Sequence, residues 1–308
     1  MNNTILIFLV IFIFLCVIIN SIYDTYFTLE GFTTTKNIKN VFSNNNLFDS
    51  FYCKIYNKLI GELPKNKIEA DIITDESLKK FKKQIRVLDI GSGPGKHIFY
   101  LCENDYRFKP YICGLDNSKE MIKIAKSNNN DNYKNKCEFI KGDANNETMF
   151  APNSFTHILC LYFTFYYFRD KNNILKNIRR WLSHKGHFCI HLVNRHKFDP
   201  MLDRGNPFIG SLQKYSDKRL TTSFVKFNEL TYKSDFELDN ENDIAYFKEE
   251  FENDVTKEKR LQKHTLYMPS IHEIVTQIKD FGFKELKVVD LMEIGYEYNY
   301  LYFFENSK

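Results

Sequence analysis

Three observations predict an α/β fold built on a largely parallel sheet. "IRVLDI" at 85–90 is a short, β-branched apolar run of the kind that fills a strand buried on both faces. It runs straight into "GSGPG" and then "KHIFYLCEN", giving strand, glycine turn and helix in sequence. The motif of an apolar run ending in an acid then recurs, in "YICGLD" at Asp116 and in "CEFIKGD" at Asp143. Open α/β sheets bind ligands at the carboxyl ends of their strands, so these acids mark one edge as the binding edge.

The elements follow in order. Ile5 to Ile19 is fifteen residues without charge, and Thr4 and residues 20–23 extend it to twenty. That length spans about 30 Å of hydrocarbon as a helix. Tyr23 and Tyr26 suit the interfacial belt. A cleaved signal peptide would want a basic start and a small-residue cleavage site, and "MNN" has no side-chain cation. Residues 1–23 are therefore expected to be an uncleaved transmembrane anchor. Lys36 and Lys39 follow the apolar run, against no lysine before it, and place the large domain in the cytosol. Residues 24–46 read as a polar tether.

The seven cysteines, at 16, 53, 102, 113, 137, 160 and 189, show no C-x-x-C pair, so they read as reduced thiols and not as a disulfide framework or zinc site. No metal site is expected. The net charge of +4 is mild and shows no basic face, so nucleic acid is not indicated.

"GSGPG" admits three ligands. A phosphate-gripping loop needs G-x-x-x-x-G-K-[ST], which is absent. A dinucleotide fingerprint needs glycine where Lys96 stands, which counts against a nicotinamide dehydrogenase. What remains is D-x-G-x-G-x-G, formed by Asp89, Gly91, Gly93 and Gly95 around Ser92. This resembles the first motif of class I S-adenosylmethionine-dependent methyltransferases, over residues 48–194 and 269–308. The resemblance implies a Rossmann-like seven-stranded sheet flanked by helices. It implies S-adenosylmethionine as cofactor, with its amino-acid end at the glycine loop and its ribose hydroxyls on Asp116. Asn117 and Met121 would flank the adenine, Asp143 and Ala144 would meet its edge, and Leu161 would also contact the cofactor. The fourth strand, "NSFTHILC", has Thr156 where the family usually has Asp. The turn "LSHKGH" departs from L-x-P-G-G at Lys185 and His187. A last helix and two strands, "SIHEIVTQIKDFGFKELKVVDL" and "YNYLYFF", close the fold.

Substrate choice falls to other segments. "FDSFYCKIYNKL" is an aromatic helix of the kind that lids the cofactor in such enzymes. Its Tyr52 and Tyr56 share a face and suit a sulfonium cation. "CLYFTFYYFRD" offers Tyr162, Tyr166 and Tyr167 beside the reacting atoms, and no N-P-P-Y is present. His191, near the end of the fifth strand, is the candidate general base if the acceptor is oxygen. Residues 195–268 alternate apolar and polar positions and are expected to form an antiparallel β cap, resembling that of amino-sugar N-methyltransferases. The cap could roof the pocket or join two copies; His264 and Tyr267 could face the substrate, and are expected instead at the surface. The expected activity is methyl transfer to nitrogen or oxygen of a small molecule, or of a lipid met at the membrane. The competing reading is a degenerate, membrane-displayed cofactor-binding module.

Overall fold

The computed structural model describes residues 38–43, 47–60, 65–82, 84–104, 106, 109–133, 135–198, 222–227, 230–294 and 296–307. The expected anchor, residues 1–23, lies outside the described residues. No helix among the described residues is long and apolar enough to cross a membrane.

Two sheets organise the chain. Strand β1 is Ile38–Ser43, followed by helices α1 (Ser50–Ile60) and α2 (Lys65–Glu76). The core then alternates β2 (Arg86–Ile90), α3 (Lys96–Glu103), β3 (Tyr111–Asp116), α4 (Lys119–Asn128), β4 (Cys137–Lys141) and β5 (Phe155–Cys160). A one-turn helix α5 (Thr164–Tyr167) and helix α6 (Lys171–Trp181) lead to β6 (Leu182–Val193). Strands β7 (Thr222–Phe227), β8 (Leu230–Asp239), β9 (Ile244–Asn253) and β10 (Lys259–Tyr267) form the cap. Helix α7 (Ile271–Asp280), β11 (Phe283–Asp290) and β12 (Asn299–Asn306) return to the core.

The core sheet has seven strands in the order β11-β12-β6-β5-β2-β3-β4. The five strands from β6 to β4 are parallel; β12 runs antiparallel to β6, and β11, antiparallel to β12, points the same way as the core strands. The apolar alternation predicted for doubly covered strands is visible along β2 and β5. Leu88, Ile90, Ile158 and Cys160 join one core layer, while Val87 and Leu159 join the other. Capping sets the helix starts: Ser118 accepts the Met121 amide at 3.1 Å, and Ser270 with Glu273 forms a reciprocal capping box on α7.

Three expectations need correction. Residues 38–43 of the expected tether form β1, which pairs in parallel with β10 as an edge of the five-stranded cap sheet, β1-β10-β9-β8-β7. Arg260 of β10 fastens this segment. Its guanidinium lies 3.7 Å from the Phe42 ring centroid and makes a paired hydrogen bond to Asp49 at 2.9 and 3.0 Å. The turn expected at 182–187 is absorbed into β6. The β5–β6 register jumps from Phe155–Leu182 to His157–His187, and Lys185 takes φ 56° in the bulge between. His264, expected at the surface, is 2 % exposed.

Candidate active site

The carboxyl ends of β2, β3, β4 and β5 open into one cavity of about 1230 Å³, roofed by α1, β9 and β10. Single-ligand pockets run to about 1,000 Å³, so this one has room for a cofactor and a second molecule.

The glycine loop forms the floor. Gly91 takes φ +70°, and a Cβ there would meet the Thr164 side chain at 2.4 Å, so only glycine fits. Gly93, at φ +54°, has open space where a Cβ would stand. Ser92 beside it is buried, and its hydroxyl has no hydrogen-bond partner among the described residues. An orphaned hydroxyl next to a backbone recess is what a close-lying polar ligand would complete. Asp116 accepts the Gly93 amide at 2.8 Å and the Ser118 amide at 2.8 Å, one on each oxygen. Each carboxylate oxygen can accept two hydrogen bonds, so a diol still finds one site on each. Burial raises the Asp116 pKa, and the two amides oppose that rise.

Asp89 is 2 % exposed, and burial pushes its pKa up to about 7; His97 opposes the rise, and Asp116 and Glu69 add to it. Behind it lies a buried polar cluster that the sequence analysis missed. Glu69 of α2 accepts His97 at 2.8 Å and faces Lys65 at 3.8 Å and His191 at 4.0 Å. Burial alone would raise the Glu69 pKa, but the Lys65 ammonium, followed by the His97 hydrogen bond, holds it down at about 2. The Lys65 ammonium also sits 4.5 Å from the Tyr162 ring centroid and 4.4 Å from that of Tyr296.

The structure gathers most of the candidates. Tyr52, Tyr56, Asp89, Gly91, Ser92, Gly93, Asp116, Asn117, Met121, Asp143, Ala144, Leu161 and Tyr162 all line the cavity. Gly95 does not. It caps α3 from behind the loop at φ 84°, where a Cβ would strike Phe139 at 2.6 Å. Tyr166 does not either; its hydroxyl accepts the Val193 amide at 2.9 Å inside the core. His191, the proposed base, stands within the sheet at 0 % exposure, bonded to Asn299 at 3.1 Å. Burial, with Lys65 beside it, drives its pKa down to about 4. It is a neutral structural residue without access to the cavity.

In its place the cavity presents Tyr167, Glu249 and His264. The Tyr167 hydroxyl lies 2.6 Å from His264 Nδ1, and His264 Nε2 lies 2.6 Å from Glu249 Oε2. The Tyr232 hydroxyl donates to the other Glu249 oxygen at 2.8 Å. Tyr267, expected outside, also lines the cavity.

A family model described as a methyltransferase domain matches residues 81–265, more than half the chain. The chain belongs to the class I, Rossmann-like methyltransferases. Their cofactor, S-adenosylmethionine, fits the loop recess, the Ser92 hydroxyl and the open Asp116 lone pairs described above. Solved structures share the fold of this methyltransferase. An S-adenosylmethionine-dependent methyltransferase from Clostridium acetobutylicum aligns with TM-score 0.61 at 17% identity, covering 84% of this chain and 98% of its own. The CcbJ methyltransferase from Streptomyces caelestis gives 0.64 at 13%, covering 83% and 96%. CalS10, a SAM-bound amino pentose methyltransferase from Micromonospora echinaspora, gives 0.58 at 16%, covering 85% and 99%. No curated protein matches the chain by sequence.

Proposed function

We propose that this methyltransferase moves a methyl group from S-adenosylmethionine to a small-molecule acceptor held between the core and the β cap. The observation that carries this reading is the continuity of the cavity. Residues of the cofactor loops and residues of the cap line the same space, so an acceptor under the cap meets the cofactor directly. The cofactor supplies an activated methyl group on a sulfonium. The protein's part is therefore mostly placement. Asp116 fixes the sugar, and the loop amides and Ser92 border the amino-acid end. The rings of Tyr52, Tyr56 and Tyr162 offer π faces to a cation. A SAM-bound neighbour that acts on an amino pentose supports an acceptor of similar size.

The apolar run at 5–19 adds a membrane tether to this reading, with the catalytic domain facing the cytosol. Such a tether gives the enzyme access to lipid-borne as well as soluble acceptors. Calorimetric titration of the detergent-solubilised full chain with S-adenosylhomocysteine, beside NAD, tests the cofactor reading. Micromolar binding that excludes NAD is expected; a folded protein that binds neither would sink it.

A further inference from the structure

The amino-acid sequence alone leaves the acceptor atom open between nitrogen and oxygen. Resting on the methyl-transfer reading above, the geometry at the roof of the cavity points to oxygen: we propose that Tyr167, His264 and Glu249 form a proton relay that deprotonates a hydroxyl acceptor during transfer.

Tautomer and direction follow from the donor inventory. An ionised carboxylate only accepts, so Glu249 fixes the proton of His264 on Nε2 across the 2.6 Å contact. Nδ1 then carries a lone pair and can only accept, so the Tyr167 hydroxyl donates to it at 2.6 Å. The remaining lone pairs of the Tyr167 oxygen are free to accept a proton from a molecule in the cavity. Tyr232 holds the second Glu249 oxygen, and with Glu249 1 % exposed the carboxylate has little room to turn away. The order hydroxyl, imidazole, carboxylate matches the nucleophile–base–orienter logic of catalytic triads, with the tyrosine as the group that meets the substrate.

Aromatic rings enclose His264. Its ring lies 5.2 Å from Phe247, 6.0 Å from Tyr52, 6.1 Å from Tyr167 and 6.3 Å from Phe48, centroid to centroid. An imidazolium formed there gains the Glu249 carboxylate at 2.6 Å, with both groups buried. The titratable groups facing it are Tyr52 from α1, Tyr167 from α5, Tyr232 from β8 and Glu249 from β9. Burial raises the tyrosines among these well above the ordinary phenol range. Tyr167 therefore stays protonated until His264 takes its proton.

The step balances. The acceptor oxygen bonds to the methyl carbon while the carbon–sulfur pair stays on sulfur, leaving a thioether. The acceptor's proton passes to Tyr167 Oη, and the proton of Tyr167 passes to His264 Nδ1. One positive charge leaves the sulfonium and one appears on the imidazole, so the net charge of the site is unchanged. A neutral amine would not use this device. Its lone pair attacks unaided, and the methylated ammonium can keep its proton. An alcohol or phenol attacked without a base would pass through a strongly acidic oxonium, so its proton must leave as the bond forms.

The test uses the detergent-solubilised full chain, S-adenosylmethionine, and isosteric hydroxyl and amine probes: p-cresol with p-toluidine, 2-naphthol with 2-naphthylamine, cyclohexanol with cyclohexylamine. At least one hydroxyl probe should be methylated. His264→Asn and Tyr167→Phe should each lower kcat for it by about 10²–10⁴-fold, with acceptor KM and S-adenosylhomocysteine affinity held within about twofold. Glu249→Gln removes the anion behind the imidazole, so the acidic, ascending limb of the pH–rate profile should move to lower pH. A readout independent of turnover is the proton NMR of the free protein. A low-field His264 Nε2–H resonance is expected, lost in His264→Asn and shifted upfield in Glu249→Gln. The proposal is overturned if only amine probes are methylated, if hydroxyl methylation survives both His264→Asn and Tyr167→Phe, or if a protein that binds S-adenosylhomocysteine takes no hydroxyl probe. Failure of the wild-type protein to bind S-adenosylhomocysteine would instead defeat the cofactor reading.

Discussion

Asp89→Asn should make the free protein more stable and its cofactor site worse. In the unfolded chain an aspartate releases its proton near pH 3.9. In the fold, burial holds the proton until about pH 7. Between those values the native state binds more protons than the unfolded state, so stability falls as pH rises through that window. Three units at 1.36 kcal/mol each give a cost of about 4 kcal/mol, fully present above pH 7 and absent below pH 4. Asparagine keeps the shape and removes the charge. Urea unfolding of wild type and Asp89→Asn at pH 4.5, 6 and 8 should show the variant's advantage growing along that series. At pH 8 the same variant should bind S-adenosylhomocysteine more weakly if, as proposed, the amino-acid end of the cofactor lies at the Asp89 loop. A pH-independent stability difference, or a variant less stable than wild type at pH 8, would refute the argument that Asp89 is held in the fold against its own charge.

Other positions give sharper single outcomes. Asp116→Asn replaces one acceptor oxygen by a donor where both oxygens hold loop amides, and should weaken S-adenosylhomocysteine by about 10²-fold or more in calorimetry, two charge-assisted hydrogen bonds being at stake. Gly91→Ala meets both a left-handed φ and the Thr164 side chain, and should cost about 1–3 kcal/mol or more in urea unfolding. Glu69→Gln removes the buried anion that faces Lys65 and His97, and should destabilise by about 3–5 kcal/mol at pH 7. Because the Glu69 pKa is depressed, its contribution is present above about pH 4 and lost as pH falls toward 2, so the two proteins should converge in acid.

The parallel core was legible because its signals are local and redundant: doubly buried strands read as apolar runs, and each binding acid follows one directly. The catalytic constellation was not, because its members are far apart in sequence and join only through the cap. Yet the signal for two of them existed. Along β9, Ala245, Phe247 and Phe251 are the buried alternates, and Glu249 falls in their register. Along β10, Leu266 and His264 share the inward face. A carboxylate and a histidine on the apolar faces of neighbouring strands are positions that alternation alone places indoors. His191 misled for the reverse reason. It lies on the correct strand, but the sheet continues past it as β12, and Asn299 satisfies it there. Lys65 and Glu69 sit at helical i, i+4 spacing, which reads as an exposed pair until α2 is seen buried against α3.

Asp89 and Glu69 show what the free protein lacks. Both carboxylates are buried to within 2 % of complete, and burial pushes both pKa values upward. Glu69 has Lys65, His97 and His191 around it and ends up low, at about 2, whereas Asp89 has only His97 in its favour and two carboxylates against it, and ends up at about 7. One is a completed electrostatic site and the other lacks a cation, and we infer that the ammonium of S-adenosylmethionine or S-adenosylhomocysteine would supply it. Cofactor binding should therefore expel a proton from Asp89. Near pH 7 about half of the free protein carries that proton, so calorimetry in buffers of different ionisation enthalpy should report about half a proton released per S-adenosylhomocysteine bound, falling towards zero by pH 8.5. Below pH 7 the affinity should drop by up to tenfold per pH unit. Asp89→Asn should abolish both effects. Equal proton release in the variant would place the titrating group elsewhere; no release at pH 7 in the wild type would mean that Asp89 is already ionised before the cofactor arrives.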